Sequence, residues 1–166
     1  MRTADSLLAE LHQEAATTRR VLERVPNEKL GWKPHPKSMS LGQLALHVAT
    51  IPGSIAAILS GDEFQLPPAF EQSSASSTAE LVPALEKSIA DAAAMLKGLD
   101  EQKISASWKL KRGPQEIMAI PRASAIRTIM LNHWYHHRGQ LSVYLRELNV
   151  PLPSIYGPSA DENPFA

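Results

Sequence analysis

Apolar residues recur at helical spacing along four stretches of the chain. From about Ala4 to Arg24, the side chains of Leu7, Leu8, Leu11, Ala15, Val21 and Leu22 fall on one stripe, and Pro26 ends the pattern. This spacing predicts an amphipathic core helix. A second run begins at Ser40, where "SLGQ" has the form of a capping box, with serine as N-cap and Gln43 reaching back to it. Leu41, Leu44, Val48, Ile51 and Ile55 mark its buried stripe, and Gly61 its end. The third opens with the same signature, "STAE" at Ser77, and runs through Leu81, Leu85, Ile89 and Met95 to Gly98. A fourth follows Pro121 and carries Ile126, Ile129, Met130, His133, His137, Leu141 and Leu145 to about Leu148.

Proline, glycine and serine crowd into the segments between these runs, with no internal repeat. One of them, "SASWKLKRGPQEIMAI", could form a short hairpin about Gly113 and Pro114. Four long helices with long connecting loops predict an all-α chain folded as an antiparallel four-helix bundle, one domain over residues 1–166. The rival is a non-bundle helical fold with other crossing angles. A chain of 166 residues can bury a core without disulfide or metal staples.

Composition narrows the chemistry. Lysine plus arginine and aspartate plus glutamate stand at 17 each, and neither half is strongly basic, so nucleic acid is not an expected partner. Cysteine is absent, which excludes thiolate ligands and a cysteine nucleophile from the chain itself. The opening "MRTADSLLAELHQE" lacks the basic and long apolar regions of a secretory signal, so the expected location is cytoplasmic. No apolar run approaches the roughly 18 to 20 residues of a membrane helix, since "SIAAIL" is followed at once by "SGDEF". Neither is a membrane an expected partner.

The histidines carry the candidate chemistry. "NHWYHHRGQL", residues 132–141, places three of the six within five positions of one helix. His133 and His137 stand at i and i+4, with β-carbons about 5 to 6 Å apart, so both imidazoles can reach one metal. His136 lies at i+3 from His133 on the other flank, as an alternative ligand or a neighbour. Such a pair alone is better read as histidines at a helix surface or in a core with satisfied hydrogen bonds. His47 changes the balance: it follows Leu44 by three and precedes Ile51 by four, which aims its ring along the buried stripe of the second helix. A buried imidazole needs a partner, and three together would hold a metal with a coordination position to spare.

Other residues have plainer readings. Gln140 could hydrogen bond a ligand, while Asn132 and Arg138 are read as structural and Gly139 as a site of close helix packing. Trp32, Trp108 and Trp134 are expected core aromatics. Lys103, Lys109, Lys111 and Arg112 form a basic strip around Trp108 that could greet an anionic substrate, although a solvated strip is the plainer reading. Tyr156 is expected to anchor the C-terminal tail, and His12 and His35 lie outside the site.

"LGQLALHVA", "NHWYHHRGQL" and the tail "VPLPSIYGPSADE" together resemble the DinB-like (DinB/YfiT) superfamily of bacterial four-helix-bundle metalloproteins, in order from "KLGWKPHPKSMSLGQL" to the tail. The resemblance implies a metal held by His47, His133 and His137. It also implies enzymes that use a low-molecular-weight thiol, as isomerases or transferases, beside many members without an established activity. The expected function is therefore a metal-dependent transferase or hydrolase with a divalent ion, zinc or nickel, and an open coordination position. Its expected partners are a small-molecule substrate, a low-molecular-weight thiol among the candidates, and a second copy of the chain in a homodimer. Position 134 is Trp, so the glutamate of the HExxH peptidases is missing. The alternative is a non-enzymatic metal or small-ligand binding protein of the stress response.

Overall fold

In the computed structural model, which describes residues 2–70 and 72–165, the four periodic stretches form four long helical segments. Helix α1 is Thr3–Leu22 and α2 is Leu41–Leu59. The capping box of α2 forms as its sequence requires, with Gln43 N donating to Ser40 Oγ at 3.1 Å and Ser40 N to Gln43 Oε1 at 2.8 Å. The box at Ser77 and Glu80 also forms, but it encloses a single 3₁₀ turn, Thr78–Glu80, so that α3 spans Leu81–Lys97. A short α4, Glu101–Ser105, is capped by Asp100. The last stretch comprises α5 (Arg122–Ala125), a π-helical turn (Ile126–Asn132) and α6 (His133–Glu147).

The four long helices pack in a closed ring: α1 on α3, α3 on α2, α2 on α6 and α6 on α1. Their apolar stripes share one core. The all-α expectation is corrected by a three-stranded sheet, β1 (Glu63–Gln65), β2 (Ser107–Arg112) and β3 (Gln115–Pro121), in the order β1-β2-β3. The hairpin β2–β3 forms where the sequence allowed one, with Gly113 at φ 55° supplying the positive angle that a two-residue primed turn needs. Strand β1 pairs parallel to β2, and at three residues it is too short to show any periodicity of its own.

Helix α2 is the most apolar element. It is 19 residues long with a mean hydropathy of 1.4, long and apolar enough to cross a bilayer, which corrects the expectation that no segment approaches that length. Half of it is buried inside the protein, because this helix packs against both α3 and α6 and must be apolar on more than one face. Pro52 lies within it. Proline has no N–H, so the carbonyl of Val48, four residues earlier, loses its usual partner. The indole Nε1 of Trp134 donates to that carbonyl at 2.8 Å from α6. Next to the proline, Gly53 N donates to Ser88 Oγ of α3 at 2.7 Å, and a β-carbon on Gly53 would stand 2.9 Å from Ser88 Cα. Glycine is required by that approach.

The buried face of the last helical stretch is Ile126, Met130, Trp134, Arg138, Leu141 and Leu145. His133 and His137, placed on that stripe by their spacing, instead occupy its flank and are half-buried. Arg138 has its role as a structural residue: its guanidinium meets Glu14 Oε2 at 2.6 Å, Thr18 Oγ1 at 3.1 Å and the hydroxyl of Tyr156 at 2.5 Å. Tyr156 also donates to Glu14 at 3.0 Å and so anchors the tail, as expected. Gly139 departs from expectation, since it is exposed and a β-carbon there would meet nothing within 4 Å; nothing in the structure explains it. Asn132 is exposed, and its side chain makes no hydrogen bond among the described residues.

Two substitutions separate these cases in thermal unfolding. Glu14→Ala leaves the buried Arg138 charge unpaired and should cost about 3 to 5 kcal/mol, whereas Gly139→Ala, free of steric conflict, should stabilise by roughly 0.5 to 1 kcal/mol.

Candidate metal centre

Helix α2 presents His47 toward the first two turns of α6, where His133 and His137 stand one turn apart. The ring centroids lie 4.6 Å apart for His133 and His137, 4.6 Å for His47 and His137, and 5.3 Å for His47 and His133. One nitrogen from each ring falls within 4.8 Å of the others, so the group could hold a metal ion. Nε2 of His47 and Nε2 of His133 are 3.4 Å apart. Two nitrogens bound to one zinc in tetrahedral geometry at about 2.0 to 2.1 Å would be separated by about 3.3 Å. That pair is thus already at ligand spacing.

Both the neutrality of the rings and their orientation suit coordination. Burial depresses the His47 pKa to about 4, and the neighbouring His137 and His133 rings push it the same way. His133 and His137 are lowered as well, first by burial; a hydrogen bond with the Ile129 backbone opposes the shift at His133, and one with Gln140 opposes it at His137. At neutral pH the rings are therefore free of competing protons. Gln140 Oε1 lies 2.7 Å from His137 Nδ1. With Nδ1–H donating to that amide oxygen, the ring is held and Nε2 keeps its lone pair for a ligand role. The sequence-based reading of Gln140 as a ligand's hydrogen-bond partner agrees with this contact.

The three imidazoles line a cavity of about 820 Å³. Along α2 its wall includes Gln43, Leu46 and Thr50, and across from them stand Phe64 of β1 with Trp108 and Leu110 of β2. Leu46, Thr50, Phe64 and Leu110 escaped the sequence reading, although the alternation in "SWKLKR" was the signal that could have placed Leu110 on one face with Trp108. His136 is exposed, with its ring 5.0 Å from that of His137, and does not join the nitrogen group. His12 and His35 are exposed and stand outside it too. Of the tryptophans, Trp108 and Trp134 are buried as expected, and Trp32 is half-buried with its ring edge-on to Tyr144. The basic strip is partly neutralised: Lys109 pairs with Glu116 at 2.9 Å and Lys111 with Glu63 at 2.5 Å.

The DinB family model matches residues 1–163, and the chain belongs to that family. It is 25% identical over 164 residues to the uncharacterized protein YrdA of Bacillus subtilis (strain 168), an overlap of 96% of this chain and 92% of that protein. Two crystal structures share the fold. A DinB-like protein of Bacillus subtilis, YjoA, superposes with a TM-score of 0.68 at 18% identity, covering 90% of this chain and 97% of that one. A DinB-like protein of Bacillus cereus ATCC 10987 does so with a TM-score of 0.68 at 22% identity, covering 92% and 97%.

The depressed histidine values have a consequence for stability in metal-free protein. Between the unfolded histidine pKa of about 6.5 and the folded value of about 4 at His47, the unfolded chain binds more protons than the folded one. Stability should therefore be level with respect to these groups above pH 6.5 and fall as pH drops from there toward 4. Urea unfolding of chelated protein across that window checks the sign, and His47→Gln, which cannot titrate, should flatten part of the slope.

Proposed function

We propose that the protein is a metal-dependent enzyme acting on a small molecule, as a transferase or hydrolase, with one divalent ion held by His47, His133 and His137. The observation that carries this reading is the convergence of three neutral imidazoles on the wall of a cavity large enough for a small-molecule ligand. Zinc or nickel suits such a donor set. When bound by three protein nitrogens, an ion of this kind supplies Lewis-acid polarisation to a ligand in the remaining position.

The chain's own residues would bind, orient and shield. Gln140 fixes the His137 ring, and Trp134 holds α6 to α2 between the two halves of the donor set. The apolar side chains of Leu46, Phe64 and Leu110 limit water around a bound substrate. No cysteine is present, so a thiol used in transfer would come from solution, and a low-molecular-weight thiol is the co-substrate class to test first. One observation favours the alternative of a metal or small-ligand binding protein without catalysis. Among the described residues that line the cavity there is no carboxylate to serve as general base.

Purified protein should carry one metal per chain by elemental analysis. His47→Ala, His133→Ala and His137→Ala should each lose it, while His12→Ala, His35→Ala and His136→Ala should keep it. Gln140→Ala should weaken affinity by about 10 to 100-fold. Full metal retained by the His47 variant would exclude the α2 ligand. Turnover of thiol and electrophile pairs by the loaded protein, lost in the three ligand variants, supports the enzyme; loading without turnover of any pair supports the binder.

A further inference from the structure

We propose that the cavity beside the three histidines takes an uncharged, mainly apolar small molecule that carries a single coordinating head group. The proposal rests on the metal reading for the head group, and on the walls alone for the rest of the ligand. Strand alternation is the first observation. On β1 and β2, Phe64 pairs in register with Leu110, and both line the cavity together with Trp108, whereas Glu63 pairs with Lys109 and Gln65 with Lys111 on the other face. Lys109 and Lys111, the members of the basic strip that flank Leu110, are therefore turned away from the cavity and are matched there to Glu116 and Glu63.

The second observation is the wall itself. None of the described residues lining the cavity is Asp, Glu, Lys or Arg. A charged substrate group entering it would lose water without gaining a counter-charge from the described lining residues, apart from what the metal offers to the head. Two of the polar side chains on α2 are engaged within the helix: Thr50 donates its hydroxyl to the Leu46 carbonyl at 2.9 Å, and Gln43 Oε1 accepts from Ser40 N. At about 820 Å³ the cavity lies in the range of roughly 300 to 1,000 Å³ that encloses drug-sized ligands. Phe70 extends the same chemistry outward, lining the cavity with a side chain that is 64% exposed.

The test is displacement of the neutral fluorophore N-phenyl-1-naphthylamine from zinc-loaded and from chelated wild-type protein. Along the series from 1-pentanol to 1-octanol, affinity should rise about fourfold per methylene. At equal length, 8-hydroxyoctanoate and 8-amino-1-octanol, which keep the hydroxyl head and add a charge at the far end, should bind about tenfold or more weakly. Leu110→Lys should reverse the order in favour of 8-hydroxyoctanoate, and Phe64→Lys serves if that variant does not fold. Affinity indifferent to chain length, or charged tails bound as well as neutral ones, overturns the ligand class even with metal bound. Conversely, the chain-length gain in a protein that holds no zinc would overturn the coordinating head and leave the apolar ligand standing.

Discussion

Pro52 imposes the constraint on which the arrangement of helices depends. It interrupts the hydrogen-bond ladder of the most buried helix, and a carbonyl left unpaired there would cost about 1 to 3 kcal/mol. The vacancy is filled from outside α2: Trp134 of α6 supplies the donor for the Val48 carbonyl, and Ser88 of α3 accepts from Gly53 and donates to Thr50. A gap in one helix thereby becomes a pair of pins to two others. The pin to α6 falls between residues adjacent in sequence to His47 and His133, so the distance between the two halves of the donor set is set by a buried hydrogen bond one residue away.

A second anchor lies one residue beyond His137. Arg138 is buried, and its guanidinium is satisfied by Glu14 and Thr18 of α1 and by the tail through Tyr156. The ion pair brings α1, α6 and the C-terminal segment together at one point. Arg146 and Arg20 fasten the same tail through Asp161 and Glu162. Those pairs are exposed and contribute little individually, so the buried group is the one that determines whether the tail is seated. Trp134 and Arg138, each one residue beyond a histidine, take the core face of α6, which leaves His133 and His137 to line the cavity.

The cavity also gives the small sheet a purpose. Phe64 of β1 and Trp108 and Leu110 of β2 wall the cavity that the three histidines share, and burial is the first cause of the lowered histidine pKa values. The same strands exclude charge from the interior by alternation, with lysines and glutamates paired outside and Phe64, Trp108 and Leu110 inside. The strands thus keep the imidazoles neutral and the cavity wall apolar together.

Local chemistry was legible in the sequence wherever a short pattern suffices. The helical stripes, both capping boxes, the glycine of the hairpin turn and the i, i+4 spacing of His133 and His137 each depend on neighbours within a few residues. Even His47 could be nominated, because an imidazole on an apolar stripe demands a partner. Its distance from His133, 86 positions along the chain, could only be settled by tertiary packing. The same holds for the parallel strand β1, whose pairing is made by β2, and for the core face of α6, where a π-helical turn brings Trp134 and Arg138 inward in place of the histidines. Periodicity describes a side chain's angle about its own axis, whereas what faces it is decided by which other elements close around it.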